Sequence, residues 1–567
     1  MTESARKPAK PARSEPQASE VERNGGQLAA RQLKAAGIDA VFGVVAGPMI
    51  EVLSGAVEEG MTVVNCRHEV SAGLMASAWG WVRRKAGVCV VGSGPALTNA
   101  VTPMHVATES AMPLVVLGGS TYGPTRGLGG FQEADQRAFA KPACKWTLEV
   151  DSTERIPELV HLACGKAVSG RPGAVYLDFP GHWVGRRVPA DRVRMRERLP
   201  EIAAAHPAPA AIDRVADLLA RARRPLLLIG KGAAWSGAGE ALARIADRGI
   251  PYVTSPMARG TIPDDHRGFV NGARGSALKQ ADVIVMIGAR FNWIFGFGGP
   301  GRFAADVQLV QIDVEPSEFY NGADLALGVT ADARVAADAL DAALQGRTLA
   351  SADGRWLSSL CEARDANEAK LRGAMESDAT PIDPHRLVAE VRDAAPRNAQ
   401  LSVDGETIMG IARQIMPCYA ERSMFNAGTT GCMGTGVPYA IGAKIARPEA
   451  PSIAILGDYA FGAAALEVET AARVGAPVVF VVANNEGIAG HMIQDHMFPA
   501  GAPRVAALLP AHYEKLGELV DAHVENVTAP TEIRPALDRA LAADRVAVVH
   551  VRCDPKATRL SGGVYLR

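Results

Sequence analysis

Two apolar strand patterns in the last third of the chain each end in a side chain that could bind a metal ion. Asp458 follows the run SIAILG, and Asn485, 27 positions later, follows PVVFVVAN. The helical pattern AAALEVETAARVG lies between them, and in a right-handed β-α-β unit the two strand ends become neighbours. Carboxylate and amide oxygens, with a backbone carbonyl from the glycine turn, suit Mg²⁺ when phosphate and water complete the shell.

Glycines flank both side chains and would leave backbone N–H groups free to bind a phosphate; they are Gly457, Gly462, Gly487 and Gly490. A plainer interpretation is that Asp458 caps the next helix and Asn485 closes a turn. Spacing alone leaves both open. Glu486, directly after the asparagine, is either a solvated turn residue or a group that faces the ligand.

These residues are positioned by alternating strand and helix patterns. Apolar runs such as VCVVGSG and PLVVLGG predict parallel strands covered on both faces by helices. The pattern recurs in three units, so we expect an α/β fold of three doubly wound parallel-sheet domains at 24–190, 207–346 and 381–552. A proline-spaced connection near 187–208 and a polar helical stretch at 346–380 are predicted linkers, and 553–567 a C-terminal tail.

Composition narrows the class of protein. The 567 residues carry a formal net charge of -1, which gives no global attraction to nucleic acid or an anionic membrane. The eight cysteines lack metal-site spacing, and no apolar run reaches the ~18–20 residues of a membrane span. Residues 1–23 lack the apolar core of a secretory signal and are predicted to be a disordered tail. We therefore expect a cytoplasmic protein.

The Asp458–Asn485 pair resembles the thiamine diphosphate (ThDP) motif of the acetohydroxyacid synthase-like superfamily. Four more segments resemble that superfamily in chain order: CRHEVSAGLMASAWG, GSGPALTNAVTPMHVATESAMPLVVLGG, GFQEADQ and GTTGCMGTGVPYAIGAKIA. The resemblance implies that the three units are a pyrimidine-binding domain, a central Rossmann-like domain and a diphosphate-binding domain.

The resemblance also implies a cofactor site. Asp458, Asn485 and the Gly487 carbonyl would hold Mg²⁺ on the diphosphate. Met433, otherwise core filler, would wedge between the cofactor rings, and the Gly431 carbonyl would bind the 4′-amino group. The remaining cofactor contacts are expected at Gly405, Glu406, Thr407, Gly457, Tyr459, Ala460, Ile488 and Ala489.

Glu69 resembles the cofactor-activating glutamate of the superfamily. Taken alone, it is a first-turn residue favoured by the helix dipole. The resemblance implies that it hydrogen-bonds the cofactor pyrimidine ring and so promotes loss of the proton from the reactive carbon. Family active sites lie between the pyrimidine domain of one subunit and the diphosphate domain of another, so a homodimer or homotetramer is expected.

Within the superfamily, GARFNW, VVAGPM and GIARQIM resemble segments of oxalyl-CoA decarboxylases and 2-hydroxyacyl-CoA lyases. This implies an acyl-CoA substrate and makes the C-terminal tail either a lid or a frayed terminus. ADP in the central domain stays open as a second ligand. Candidate CoA or nucleotide contacts, each also explicable as an ordinary surface or turn residue, are Lys231, Met257, Arg259, Arg290, Asp313 and Arg413.

Three departures from the decarboxylase pattern bear on the substrate. Gly47 replaces an isoleucine, Phe131-Gln132 replace a Tyr-Glu pair, and Thr430 replaces a tryptophan (phenylalanine in the lyases). The two smaller residues would open space beside the reactive carbon for a branched acyl group. Loss of the Tyr-Glu pair argues against oxalyl chemistry.

Glu486 also argues against an oxalyl substrate, since a carboxylate there would repel an oxalyl group. It could instead act as a general base on a substrate hydroxyl. With Glu69 and Glu486 as catalytic residues, we expect a lyase that cleaves a 2-hydroxyacyl-CoA to formyl-CoA and a ketone or aldehyde. The strongest resemblance is to actinobacterial 2-hydroxyisobutyryl-CoA lyases. Alternatives are an oxalyl-CoA decarboxylase, an acetohydroxyacid synthase or a non-catalytic nucleotide sensor, the last disfavoured by the intact Glu69, Asp458 and Asn485.

Overall fold

A computed structural model describes residues 22–299 and 301–559. Three parallel sheets follow one another along the chain, each flanked by helices, so the predicted α/β fold of three domains is confirmed. The predicted tail at 1–23 lies outside the described residues as far as position 21, and its last two residues form a strand. In the described ranges, no helix combines the length and apolar content needed to cross a bilayer.

The first domain has a six-stranded parallel sheet of order β3-β2-β4-β5-β7-β6, and the short strands β1 and β8 pair antiparallel beside it. This pairing explains why residues 22 and 23 are ordered rather than part of the tail. The strands are β1 Glu22–Asn24, β2 Ala40–Gly43, β3 Thr62–Asn65, β4 Gly87–Val91, β5 Leu114–Ser120, β6 Trp146–Glu149, β7 Ala174–Pro180 and β8 Arg187–Pro189. The helices are α1 Gly25–Ala35, α2 Ile50–Glu58, α3 Glu69–Arg83, α4 Pro95–Glu109, α5 Gln136–Ala140, α6 Ile156–Val168 and α7 Gly181–Gly185.

The second domain has a five-stranded parallel sheet of order β10-β9-β11-β12-β13. Its strands are β9 Pro225–Ile229, β10 Tyr252–Thr254, β11 Val283–Ile287, β12 Gln308–Asp313 and β13 Leu327–Thr330. Its helices are α8 Pro209–Arg221, α9 Lys231–Ser236, α10 Gly239–Ala246, α11 Arg274–Gln280 and α12 Ala333–Leu344, followed by α13 Arg355–Ala369 and α14 Arg372–Met375.

The stretch predicted as a linker at 346–380 is helical, but α13 packs on the central domain. Leu357 and Leu360 are buried against it, and the Trp356 indole N–H donates to the Pro225 carbonyl at 2.9 Å. These apolar contacts extend the central unit beyond residue 346.

The third domain has a six-stranded parallel sheet of order β15-β14-β16-β17-β19-β18. Its strands are β14 Gln400–Asp404, β15 Met424–Phe425, β16 Ser452–Gly457, β17 Val478–Asn484, β18 His523–Val527 and β19 Ala547–Arg552. Its helices are α15 Pro384–Ala394, α16 Glu406–Ile415, α17 Gly436–Ala446, α18 Asp458–Gly462, α19 Glu467–Arg473, α20 Met492–Met497, α21 Lys515–Glu518 and α22 Pro530–Ala542. β16 and β17 pair directly, with Gly457 beside Ala483, so the strand ends that carry Asp458 and Asn485 are neighbours.

The first and third domains share one hydrophobic core. Helices α3 and α17 make the closest contact, because a Cβ atom added at Gly442 would lie 2.3 Å from the Met75 carbonyl oxygen. Only glycine allows the two backbones to approach this closely. The packing fixes α3, which begins at Glu69, against the third domain of the same chain.

Candidate active site

A small cavity at the carboxyl ends of β14, β16 and β17 gathers the residues predicted to hold the cofactor. All of them except Gly431 line it: Gly405, Glu406, Thr407, Met433, Gly457, Asp458, Tyr459, Ala460, Asn485, Gly487, Ile488 and Ala489. Pro384, Ile408, Ala483 and Cys553 complete the lining. The carboxyl edge of a parallel sheet is the usual ligand site of this fold class.

Asp458 joins the two strand ends across this cavity. One oxygen of its buried carboxylate accepts the Tyr459 N–H at 2.7 Å, and the other accepts the Gly487 N–H at 3.0 Å. Burial raises the pKa of Asp458 to about 6 despite these donors. Asp458 therefore does accept a hydrogen bond from the first turn of its own helix, as the capping interpretation predicted. The same side chain also fixes the glycine turn after β17.

The geometry of Asn485 fits a divalent cation. Its side-chain oxygen lies 3.1 Å from the Gly487 carbonyl oxygen. Two ligands at ~2.1 Å from an octahedral Mg²⁺ lie about 3 Å apart, so the separation suits adjacent ligand positions. The opposite amide orientation would instead let Asn485 donate to the Gly487 carbonyl and accept the Gly490 N–H at 3.2 Å. The residues present can thus hold Mg²⁺.

Glu486 adopts a left-handed backbone conformation, with φ of 60°. Its N–H donates to the Asn484 side chain at 3.1 Å, and its carbonyl accepts the Leu508 N–H at 2.7 Å. The half-buried carboxylate lies 3.5 Å from His491 Nε2 and does not contribute to the lining of the cofactor cavity. Asn484, which the sequence left unexplained, thus secures the turn.

Glu69 is the first residue of α3 and is half-buried. Its Oε2 accepts a hydrogen bond from the Asn99 side chain at 3.0 Å. Asn99, in the ALTNAVT segment of α4, was not predicted as a site residue. Glu69 does not line the diphosphate-domain cavity of its own chain.

Of the residues predicted to shape the substrate pocket, Gly47, Phe131 and Gln132 are exposed and Thr430 is half-buried. No atom of the described residues lies within 4 Å of the position a Cβ would take at Gly47. Phe131 is 88% exposed, and Gln132 has a positive φ of 57°. Thr430 ends a short 3₁₀ turn and donates to the Ala427 carbonyl at 3.0 Å.

A second, larger cavity of about 1040 Å³ lies between the first and central domains, with Asn426, Gly428 and Thr429 contributed by the third. Four of the predicted CoA or nucleotide contacts line it: Lys231, Met257, Arg290 and Asp313. Burial raises the pKa of Asp313 to about 6 and lowers that of Lys231 well below its usual range. Lys231 Nζ lies 4.2 Å from the centre of the Trp81 ring and donates to the Ser110 carbonyl.

Arg290 reaches this cavity but already has carboxylate partners. It pairs with Glu109 at 3.0 Å and with Glu318 at 3.6 Å, and Arg171 pairs with Glu318 at 3.7 Å. This network joins the first and central domains, and it was not predicted because Glu109 and Arg290 are 181 positions apart.

Arg259 and Arg413 line neither of these two cavities, and their assignment as CoA or nucleotide contacts stays a prediction. Arg259 is 6% exposed, binds Asp264 at 2.6 Å, and donates to the Arg413 carbonyl at 3.0 Å. Asp264 also accepts the Cys418 N–H at 2.7 Å. Arg259 therefore joins the central and third domains, and the Arg413 side chain donates to Asn426 at 3.2 Å.

The described part of the C-terminal tail lies beside the cofactor cavity. Arg559 binds Glu406 and its side chain fills the space over Gly410. The Pro555 carbonyl accepts the His491 N–H at 2.8 Å. Residues 560–567, the rest of the predicted lid, lie outside the described residues.

Comparison with known proteins identifies the three domains. Residues 23–139 match a family model described as "Thiamine pyrophosphate enzyme, N-terminal TPP binding domain", and thiamine pyrophosphate is another name for ThDP. Residues 212–340 match the corresponding central domain and 405–551 the C-terminal TPP binding domain. The cofactor expected from the five motifs is therefore ThDP.

Three relatives extend over nearly the whole chain. Human 2-hydroxyacyl-CoA lyase 1 is 31% identical over 95% of this chain and 96% of its own length. Oxalyl-CoA decarboxylase of Escherichia coli strain K12 is 33% identical, over 95% and 97%. A probable acetolactate synthase of Mycobacterium bovis is 35% identical, over 94% and 96%. The chain thus belongs to the thiamine diphosphate-dependent enzymes, in the group that contains 2-hydroxyacyl-CoA lyases, oxalyl-CoA decarboxylases and acetolactate synthases.

Proposed function

We propose that this enzyme is a Mg²⁺- and ThDP-dependent lyase that cleaves the C1–C2 bond of a 2-hydroxyacyl-CoA, giving formyl-CoA and a ketone or aldehyde. The observation that carries the proposal is Glu486, an acidic residue whose backbone is fixed in a turn directly after Asn485, the expected metal ligand. A relative named 2-hydroxyacyl-CoA lyase supports the same reaction class.

The diphosphate-domain cavity would hold the cofactor. Asp458, Asn485 and the Gly487 carbonyl would bind Mg²⁺, and the glycines at 405 and 457 would let the backbone approach the diphosphate. When bound, ThDP supplies a nucleophilic carbon and stabilises the charge left on the acyl carbon as C1–C2 breaks. Met433, 39% exposed on the cavity wall, is placed to support the cofactor rings.

Glu69 would hydrogen-bond the cofactor pyrimidine ring, and Asn99 orients its carboxylate. Because Glu69 lies outside the cofactor cavity of its own chain, it serves the cavity of a partner copy. Exposed apolar side chains on the first domain, with Leu128 79% and Phe131 88% exposed, support an oligomer that covers this face. At least a dimer is required.

Glu486 would act as the general base that takes the proton from the substrate 2-hydroxyl as the bond breaks. The same carboxylate would repel the terminal carboxylate of an oxalyl group at short range. Its backbone is held through its N–H by Asn484 and through its carbonyl by Leu508, which fixes the point from which the side chain extends.

The open position at Gly47 and the small side chain of Thr430 favour a branched acyl group, and 2-hydroxyisobutyryl-CoA is the proposed substrate. The 1040 Å³ cavity is large enough for the nucleotide part of CoA or for ADP. Lys231 offers a hydrogen-bond donor there, and Asp313 an acceptor for a ribose hydroxyl.

Substrate discrimination tests the proposal. The purified protein with ThDP and Mg²⁺ is given 2-hydroxyisobutyryl-CoA, an unbranched 2-hydroxyacyl-CoA, oxalyl-CoA or pyruvate, and kcat/KM is measured for each. We expect the branched substrate to give the highest value. Preference for oxalyl-CoA with release of CO₂, or formation of acetolactate from pyruvate, would replace the proposal by the corresponding alternative.

A further inference from the structure

Glu467 is a buried carboxylate of the diphosphate domain that reaches across to the first domain. It is the first residue of α19 and is 2% exposed. Its two oxygens lie 3.1 and 3.2 Å from the Arg67 backbone N–H, and one accepts the Thr470 hydroxyl at 2.6 Å. Burial raises the pKa of Glu467, because removing the charged carboxylate from water costs free energy.

The segment that Glu467 holds leads directly into Glu69. Arg67 and His68 precede α3, and the His68 ring accepts the Val70 N–H at 3.2 Å as the helix cap. The first N–H groups of a helix and of the residues before it need acceptors from outside the helix. A side chain 400 positions away supplies one of them here.

The neighbouring Glu469 provides a contrast. It pairs with Arg473 at 2.8 Å and lies 3.9 Å from Arg67, and its side chain is 32% exposed. Such an exposed ion pair contributes little to the stability of the folded protein. Of the two carboxylates of α19, only Glu467 is buried and bound to the backbone of the first domain.

We propose that Glu467 is a positioning residue for the reaction: its carboxylate fixes the backbone just before Glu69 and thereby sets where the Glu69 carboxylate meets the cofactor. The inference rests on the role proposed for Glu69 and adds a second acidic residue on which cofactor activation depends. It also links the two domains functionally, because α19 follows α18, which begins at the metal ligand Asp458.

Amide hydrogen exchange of the cofactor-free protein tests the contact itself. In Glu467→Ala, and less strongly in Glu467→Gln, the peptide containing residues 66–70 should exchange at least about tenfold faster than in wild type, because a backbone hydrogen bond is lost. Glu469→Gln is the matched control and should leave this peptide unchanged. Unchanged exchange in Glu467→Ala would overturn the proposed contact.

Proton exchange at the reactive carbon of bound ThDP, followed by NMR after acid quench, tests the positioning role. A misplacement of about 1 Å lowers rates on the order of 100-fold, so Glu467→Gln should slow this exchange by roughly 10- to 100-fold. Thermal unfolding and ThDP affinity should stay close to wild type, a combination that a purely structural role would not produce. Normal exchange in Glu467→Gln would refute the inference.

Glu69→Gln separates the two levels of the proposal. If Glu69→Gln abolishes proton exchange and Glu467→Gln leaves it normal, only the positioning role fails. If Glu69→Gln exchanges normally, the role of Glu69 in the proposed function fails, and the inference about Glu467 falls with it.

Discussion

Removing the Glu486 carboxylate is predicted to abolish turnover while leaving the cofactor bound. A positioned general base contributes about 10²- to 10⁴-fold to a rate, which corresponds to roughly 3–5 kcal/mol of the activation barrier. Glu486 does not line the cofactor cavity, so Glu486→Ala should bind ThDP with near wild-type affinity. Its contact with His491, at 3.5 Å and partly exposed, contributes at most about 1 kcal/mol to stability.

The backbone conformation supplies a matched control. A non-glycine residue in the left-handed region costs roughly 1–2 kcal/mol, and Glu486 has φ of 60°. Glu486→Ala keeps this cost, whereas Glu486→Gly relieves it, so the glycine variant should unfold at a higher temperature than the alanine variant. Both should be equally inactive, because the missing group is the carboxylate and not the fold.

The assay measures single-turnover cleavage of 2-hydroxyisobutyryl-CoA by the ThDP-loaded variants, with calorimetry for cofactor affinity. Loss of turnover with intact ThDP binding in both variants would support Glu486 as the general base. Unchanged turnover in Glu486→Ala would leave Glu486 as a turn residue and remove the main support for a 2-hydroxyacyl substrate.

Four further outcomes are expected. Asp458→Ala should weaken Mg²⁺-dependent ThDP binding by at least about 100-fold in calorimetry, since a charged ligand is lost; equal affinity would exclude Asp458 from the metal site. Gly47→Ile should leave thermal stability unchanged, because the position is open, but lower kcat/KM for the branched substrate about tenfold relative to an unbranched one; equal losses would contradict the pocket. Gly442→Ala should destabilise the protein by ~3 kcal/mol or more in denaturant unfolding, because its Cβ would meet the Met75 carbonyl at 2.3 Å; a neutral result would contradict the close packing. The pKa of Asp313, raised to about 6 by burial, lies above its unfolded value near 4, so its burial costs stability as the pH rises through this interval. Asp313→Asn should therefore stabilise the protein by up to ~3 kcal/mol near pH 7.5 and by about half as much near pH 5, and a pH-independent gain would contradict the shift.

The fold and the cofactor cavity were predictable because their signals are local. Apolar strand runs and glycine-flanked strand ends place Asp458 and Asn485 at one sheet edge whatever the rest of the chain does. The pairing of Gly457 with Ala483 follows from the connection between β16 and β17. Motif residues from four separate segments then line one cavity.

Contacts between domains could not be predicted, because their partners are distant in sequence. Arginine is a residue type that often binds phosphate, but Arg259 is buried between two domains and paired with Asp264. Arg290 meets Glu109 only after the first and central domains dock. The same holds for Glu467, which a sequence pattern presents as an ordinary first-turn helix residue.

Residues 22 and 23 show that composition alone did not predict where the N-terminal tail ends. They follow a polar stretch and were predicted as its end, but they pair with β8 some 165 positions later. A strand of three residues carries too little periodicity to be distinguished from a tail.

The most direct test of the central claim is the product balance of a single reaction. The protein with ThDP and Mg²⁺ is incubated with 2-hydroxyisobutyryl-CoA, and acetone and formyl-CoA are quantified together. The account predicts equal amounts of the two, formed only when both ThDP and Mg²⁺ are present. Intact substrate under these conditions, or products other than this pair, would contradict it.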